Sequence, residues 1–440
     1  SLERLVATSH AHQMLNRPGG VYVKRADTMP EPDRILLNAV ARVVLVGNRG
    51  TLDAQLDREV PEVRLPRPKD STGPKPGQPA AQGAQPGAVP SREAEGQDRT
   101  VPGEFTDDGR EYIIRLARGE WTPLPWSNVI TNYHFGCLLT ECGMATTWSE
   151  NSRENRLTPW SNDPVSDPPS EAIYVRDEES GTVTSPTPLP VRSAEPYTIR
   201  HGQGYTVYEH TSNGIEQTLL VSVPSDDPVK VCKLTLRNAS TTPRKLTATY
   251  YAELVLGVSR ETVSRYIITE AALEHGAVLA RNPYSPEFAE RVAFAAVSAG
   301  AFTFTTDRAE FIGRNGTLSS PAALAGATAL SKTVGAGLDP CGALRTNIKV
   351  PPRGTVEIVF FLGQAASTED ARSLIARYRA ANLDTVLSEG RRYWDDVLGA
   401  VQVKTPDRPM DIMLNGWLLY QTLACRIWAR SAFYQASGAY

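Results

Sequence analysis

The stretch that decides the fold is residues 214–237, which read GIEQTLLVSVPSDDPVKVCKLTLR. Residues 214–223 and 229–237 alternate apolar and polar side chains, which is the period of a strand with one buried face. Between them lies Pro224-Ser225-Asp226-Asp227-Pro228, and its Pro and Asp residues favour a reversal of the chain. The pattern therefore predicts an antiparallel hairpin.

Short runs of the same kind recur on both sides of this hairpin, separated by clusters of Gly, Pro, Asn or Asp. They are Tyr112–Leu116, Ala172–Val175, Thr206–His210, Leu246–Leu256, Val292–Val297, Ala301–Thr305, Leu344–Val350 and Val356–Leu362. A parallel sheet would need amphipathic helices between its strands, and these runs follow one another without them. We therefore predict a mainly β fold, built as a large antiparallel β-sandwich.

The chain divides by composition into four segments. From Pro61 to Gly103 there are nine Pro and six Gly in 43 residues and no aromatic residue, and such a composition does not order itself. The predicted segments are 1–57, the tail of an upstream module or connector; 58–103, a disordered Pro- and Gly-rich linker; 104–366, the sandwich; and 367–440, helices.

The apolar period changes from two to three or four residues after Ser367. The sequence Ser367-Thr368-Glu369-Asp370 is typical of a helix N-terminus, and a second helix is predicted to carry Tyr393 and Trp394. The longest helical pattern runs from about Asp407 to Gln435 and has apolar residues on more than one face. This last helix is expected to need neighbours on several sides.

Composition excludes several classes of protein. The 440 residues carry a formal net charge of −3, so no broad positive field favours nucleic acid, and we expect none as a partner. No run approaches the roughly 18 apolar residues that span a bilayer, so no membrane contact by this segment is expected. The five scattered cysteines, an odd number, indicate reduced thiols and a cytoplasmic location. Neither they nor the histidines have metal-ligand spacing, and we assign no metal site.

Residues 148–164, which read WSENSRENRLTPWSNDP, have the most unusual composition in the chain. Only one of them is aliphatic, which predicts a surface loop. Tryptophan rings offer flat apolar faces to the C–H groups of a pyranose, and Arg, Asn, Asp and Glu pair with its hydroxyls. The candidate sugar-binding residues are Trp148, Asn151, Arg153, Glu154, Arg156, Trp160, Asn162 and Asp163. The alternative is an ordinary polar loop held by internal ion pairs, and composition does not separate the two.

Catalytic groups are not identified by the pattern. Hydrolysis of a glycosidic bond needs two carboxyl groups on opposite sides of the bond, whereas Glu150, Glu154 and Asp163 lie in one stretch beside arginines that keep acids ionised. His201 and His210 are candidate general bases, although hydrogen-bonded structural histidines fit their setting better. We therefore assign no catalytic residue.

Several longer sequence motifs resemble those of a known family. Residues 148–169 resemble a loop of the cyclic β-1,2-glucan synthases and of their relatives in glycoside hydrolase family ninety-four, the inverting disaccharide and oligosaccharide phosphorylases. Further matching motifs are RHGQGY at 200–205, EHT at 209–211, GIEQ at 214–217, NGWL at 415–418 and CRIWARS at 425–431. Residues 1–57 are similar to the stretch that precedes this module in the synthases.

The resemblance implies a galactose-mutarotase-like supersandwich, followed over residues 367–440 by linker helices and the start of an (α/α) catalytic barrel. The rest of the barrel, with its general-acid aspartate, is expected to lie outside this sequence, so we expect a piece of a longer glycosyltransferase or phosphorylase that is inactive alone. The implied co-substrate of the complete module is inorganic phosphate, with no other cofactor.

The implied partners are a β-glucan oligosaccharide and a second copy of the chain, with a homodimer formed through the sandwich and the 148–164 loop near the partner's active site. The complete synthase is expected at the cytoplasmic face of the inner membrane. A stand-alone mutarotase- or lyase-like sandwich enzyme and a non-catalytic protein-interaction module remain as alternatives.

Overall fold

The structure is a computed structural model that describes residues 22–24, 28–41, 45, 51, 103–326 and 328–428. The chain forms two compact units, Ser1–Glu93 and Ala94–Tyr440. The described part of the first unit contains helix α1 (Glu31–Val40), which has a proline in its first turn, where a missing N–H costs nothing. Apart from Gly103, the predicted linker 58–103 lies outside the described residues.

The second unit is dominated by strands. In chain order they are β1 (Gly103–Phe105), β2 (Glu111–Leu116), β3 (Ser127–Thr131), β4 (Phe135–Thr140), β5 (Gly143–Ser149), β6 (Glu171–Asp177), β7 (Val183–Thr184), β8 (Tyr197–Gly202), β9 (Tyr205–Ser212), β10 (Ile215–Ser222), β11 (Val229–Asn238), β12 (Arg244–Glu253), β13 (Ile268–Ala272), β14 (Ala277–Arg281), β15 (Val292–Val297), β16 (Thr303–Asp307), β17 (Pro340–Val350) and β18 (Thr355–Ala365).

Within the described residues these strands form two antiparallel sheets. The ten-stranded sheet has the order β1-β2-β8-β9-β10-β11-β18-β15-β14-β13, and the eight-stranded sheet has the order β16-β17-β12-β6-β5-β4-β3, with β7 paired to β6. The predicted mainly β, antiparallel sandwich is confirmed.

The predicted hairpin is β10 and β11, in which Leu219 pairs with Leu234 and Ser222 with Val231. Along β10, buried and partly exposed residues alternate, as period-two patterning requires. The buried side chains from this sheet meet those of the other sheet, such as Tyr250 and Leu344, in one core. Alternation therefore fixes which face of the hairpin points inward.

Helices follow and interrupt the sheets. Their bounds are α2 (Arg260–Val263), α3 (Arg308–Ile312), α4 (Thr368–Ala380), α5 (Leu383–Leu398), α6 (Arg408–Ile412) and α7 (Leu418–Gln421), with π-helical stretches at Met413–Trp417 and Thr422–Trp428 and 3₁₀ turns at Ser264–Tyr266, Leu273–His275 and Ala322–Leu324.

Helix α4 lies on the outer face of the ten-stranded sheet. The Ser367 hydroxyl accepts a hydrogen bond from the Asp370 backbone N–H (3.1 Å), so the predicted N-cap is confirmed. Its residues Leu374 and Tyr378 pack with Phe361 of the sheet, and the Tyr378 hydroxyl donates to Asp227 in the β10–β11 turn (2.7 Å). The helical region thus forms a third layer.

The C-terminal helical segment, residues 408–428, covers one end of the sandwich. The Tyr420 hydroxyl lies 3.0 Å from Asn128 Oδ1 and 2.9 Å from the Val129 carbonyl, and it accepts from the Gly204 N–H (3.1 Å). Asn128 Nδ2 in turn donates to the carbonyl of Gly202 (2.9 Å). One phenol therefore joins this segment to both sheets. The predicted continuation of the helix over 429–435 lies outside the described residues.

A search of the helices among the described residues finds none that is both long and apolar enough to cross a membrane.

Candidate functional site

Trp148 does not lie in a surface loop. It belongs to β5, pairs with Gly136 of β4, and is 4% exposed. Its indole packs with Val129 and with Ala424 of the C-terminal helical segment. A Cβ at position 136 would lie 2.5 Å from the Trp148 ring, so only glycine leaves room for it. The prediction that Trp148 offers its ring to a sugar is wrong, because the ring is core.

The loop proper begins at Glu150, a non-glycine residue in the left-handed region with φ of 63°. Asn151 Oδ1 accepts from the backbone N–H groups of Arg153 and Glu154 (3.0 Å each), which closes a tight turn. The buried Asn155 amide donates to Gln364 Oε1 of β18 (2.7 Å). The start of the loop is therefore anchored to the ten-stranded sheet.

Arg156 holds the middle of the loop. Its N–H donates to the Gly257 carbonyl (3.2 Å) and its carbonyl accepts from Gly257 (3.1 Å), while its guanidinium donates to the carbonyls of Ser152 and Val258 (3.1 and 3.0 Å). Burial, and next the nearby Arg153 charge, lower the pKa of Arg156. The guanidinium carbon lies 5.7 Å from the centre of the half-buried Trp160 ring. Arg156 and Trp160 are thus brought together.

The other candidate residues differ in how free they are. Arg153 lies 3.4 Å from Glu154, and both side chains are exposed enough to meet a ligand. Asn162 is also exposed. Asp163 is used internally, because it accepts from Ser166 Oγ (2.5 Å) and from the Val165 N–H (2.9 Å), and these hydrogen bonds lower its pKa.

The carboxylate of Glu150 is also occupied by protein partners. It lies 2.9 Å from His134 Nδ1 and 2.9 Å from Arg291. Both of its oxygens therefore already contact other side chains of the protein. Its place in the structure is that of a loop anchor.

The two histidines with a candidate role as bases are hydrogen-bonded inside the sandwich. His201 lies 3.0 Å from both Thr206 Oγ1 and the Trp126 carbonyl, and burial lowers its pKa to about 4. His210 stacks on Tyr197 with ring centres 3.9 Å apart and lies 2.9 Å from Ser193 Oγ. These contacts are those of structural histidines.

Sequence reasoning missed a buried ion pair between the sheets. Lys230 of β11 and Glu171 of β6 are both 0% exposed and hydrogen-bonded to each other. Glu171 also accepts from Thr147 (2.6 Å), Thr158 (3.1 Å) and Tyr250 (2.5 Å). The alternation of side chains along β11 was the available signal. Lys230 faces the same side of the strand as the buried residues that follow it at steps of two.

The described residues hold no group of three or more His, Cys, Asp or Glu side chains arranged to bind a metal ion.

This architecture of two face-to-face antiparallel sheets followed by covering helices defines a supersandwich domain joined to a helical one. The family model "Glycosyl hydrolase 94, supersandwich domain" matches residues 110–381, and the model "Glycosyl hydrolase 94 superfamily, catalytic domain" matches residues 393–440. The chain belongs to the glycosyl hydrolase 94 family, as the resemblance in its sequence predicted.

Two curated relatives are much longer than the region in which they match this chain. The cyclic β-(1,2)-glucan synthase NdvB of Rhizobium meliloti is 38% identical over 425 residues, covering 96% of this chain and 15% of that protein. The N,N′-diacetylchitobiose phosphorylase of Vibrio furnissii is 26% identical over 338 residues, covering 75% of this chain and 42% of that protein. The chain therefore spans less than half the length of either relative.

Matches among solved structures include a bacterial glucoamylase complexed with acarbose (TM-score 0.41, 8% identity, 65% of this chain and 41% of that one). Another is a galactose mutarotase-like protein from Lactobacillus casei (TM-score 0.31, 8% identity, 55% of this chain and 100% of that one).

Proposed function

We propose that this chain provides the carbohydrate-binding and dimerisation part of an inverting glycoside phosphorylase or glycosyltransferase module that acts on β-1,2-glucan. Membership of the family supports the module, and identity to the glucan synthase over nearly the whole chain supports the substrate. The observation that carries the proposal is the Arg156–Trp160 pair on a loop anchored to the sandwich.

The loop is suited to binding because it is already ordered. Its backbone is bridged to Gly257 and its side chains reach Val258 and Gln364, so little conformational entropy remains to be lost when a ligand arrives. Trp160 keeps part of its indole exposed, and the same loop carries the exposed residues Glu154 and Asn162 and the half-buried Arg153. An indole with such groups suits a pyranose, which has apolar faces and a polar rim.

The complete module is proposed to use inorganic phosphate as co-substrate and to act in the cytoplasm, at the inner membrane when part of a full synthase. The chain is proposed to form a homodimer through the sandwich, with the loop contributing to the acceptor end of the partner's pocket. Among the two domains that the family models match, the loop lies within the supersandwich.

Calorimetric titration of the 440-residue protein with a β-1,2-linked glucotriose tests the binding role. We expect Trp160→Ala to weaken the affinity by at least about tenfold, or ~1.4 kcal/mol. Trp121→Ala is the matched control, because Trp121 is 50% exposed and also lies against an arginine, Arg192, at 4.0 Å. Equal affinities for the two variants, or no binding by the wild-type protein, would refute the role.

Light scattering coupled to gel filtration tests the dimer. We expect a particle of twice the 47.9 kDa chain mass. A monomer at high protein concentration would contradict the proposal. If Trp160→Ala dissociates the dimer but leaves sugar affinity unchanged, the loop is instead a protein-interaction element.

A further inference from the structure

A cleft of about 860 Å³ opens where the β1–β2 edge of the ten-stranded sheet meets helix α5. One wall runs from Glu104 of β1 to Glu111 of β2. The floor carries Gln203 of the β8–β9 turn and Tyr205, the first residue of β9, and the other wall carries Arg391 and Asp395 of α5. A volume of this size is within the range of small-molecule sites.

The walls of the cleft are fixed to one another. Arg110 lies 2.6 Å from Asp395 across the cleft, and the Tyr205 hydroxyl donates to Glu111 (2.5 Å). The Arg391 guanidinium lies 4.3 Å from the centre of the Tyr205 ring. Because these contacts join the sheet to the helix, the cleft is preformed.

The cleft continues into a second one. The second cavity, of about 490 Å³, shares Asp108, Arg110, Gln203 and Asp395 with the first and extends along the C-terminal helical segment as far as Gly416. The two cavities therefore adjoin at these shared residues, and we refer to them together as the groove. Two adjoining cavities fit a chain of several units better than a single small molecule.

The lining of the first cleft disfavours anions and favours a neutral ligand. The first cleft holds five carboxylates (Glu104, Asp107, Asp108, Glu111 and Asp395) against two arginines, so its field repels phosphate. Hydrogen bonds, first from Thr106 and then from the Arg110 backbone, lower the pKa of Asp108, which stays ionised. Several of the acids already have a partner: Glu104 pairs with Arg115, and Asp395 with Arg110.

The remaining lone pairs, the Gln203 amide and the exposed part of the Phe105 ring are suited to hydroxyl groups and sugar C–H faces. We propose that this groove is a second, non-catalytic binding site for a neutral oligosaccharide chain. The identity of that chain as β-glucan rests on the proposed function.

Hydrogen–deuterium exchange of the whole protein tests the site with the β-1,2-linked glucotriose as probe. We expect slower exchange in peptides covering 104–111 and 387–398. In Arg391→Ala, the glucotriose concentration that gives half-maximal protection is expected to rise about tenfold. Arg392→Ala is the matched control, because it removes the next arginine of the same helix, which is exposed and does not line the groove.

A second variant, Asp107→Ala, changes the opposite wall, so that loss of binding can be distinguished from misfolding of Arg391→Ala. It is also expected to weaken the protection by glucotriose. Unchanged exchange of the groove peptides in the wild-type protein, undiminished protection in Arg391→Ala and Asp107→Ala, or equal protection by inorganic phosphate would each overturn the proposal. Protection of loop 150–163 alone refutes the groove and leaves the proposed function intact. Protection of the groove alone supports the groove and refutes the role of the loop.

Discussion

The buried Lys230–Glu171 pair allows a quantitative test of how the two sheets are held together. Replacing Lys230 by Met leaves the Glu171 carboxylate with no exposed surface and without its cation. Loss of one partner of a buried pair costs about 3–5 kcal/mol, because an uncompensated charge remains in the core. Glu171→Gln should cost a similar amount, since it strands the Lys230 ammonium beside Thr147.

The double variant Lys230→Met/Glu171→Gln should cost no more than either single change. Once one charge is gone, removing the other relieves the desolvation instead of adding to it. The coupling energy of the cycle is then about 3 kcal/mol. Urea unfolding of the 440-residue protein, followed by circular dichroism, measures each term.

Lys245→Met is the control, because Lys245 is an exposed residue of β12 and its loss should change stability by less than about 0.5 kcal/mol. The reasoning is refuted if the two single changes add to within about 0.5 kcal/mol in the double variant, or if Lys230→Met costs under about 1 kcal/mol. Burial alone would lower the pKa of Lys230, but the adjacent Glu171 charge reverses this and raises it. The stabilisation that the ion pair gives to the folded state should therefore be present below pH 10.5, the ordinary pKa of lysine, and should fade as the pH rises above it.

Two further predictions concern buried rings. Burial lowers the pKa of His201 from 6.5 to about 4, so the unfolded chain takes up a proton first as the pH falls. The free energy of unfolding should therefore drop by ~3 kcal/mol between pH 6.5 and pH 4. The urea midpoints at pH 7 and pH 4.5 should differ less in His201→Gln than in the wild-type protein, and an equal difference would contradict the attribution to His201. Trp148→Ala should cost about 3–5 kcal/mol by opening a cavity, whereas Trp148→Phe should cost less and leave glucotriose affinity unchanged; reduced affinity in a stably folded Trp148→Phe variant would restore the sugar-binding role that its burial argues against.

The sandwich and its hairpin were predictable because strand patterning is local. Residues 214–237 carry both the alternation and the turn, and the Ser367 N-cap depends on residues three positions away. Such signals need no knowledge of what the chain packs against.

Trp148 could not be placed in the same way. Its strand ends in Thr146-Thr147-Trp148-Ser149, which looks like polar loop sequence, yet every residue of β5 is buried. One of the contacts that bury the indole, Ala424, lies far along the chain. The groove was equally invisible, since its walls come from three distant stretches. The burial of Lys230 was indicated only by the alternation of side chains along β11.

The bond from Tyr420 to Asn128, Val129 and Gly204 bears on how the protein should be divided for expression. The family models leave a gap between residues 381 and 393 that invites a cut there. Truncation at that point would remove Tyr420 and Trp417, and it would open the Asn128 amide and the Gly204 N–H to water. A shortened sandwich should therefore include the first helical segment of the neighbouring domain, through at least residue 428, if it is to stay soluble and well behaved.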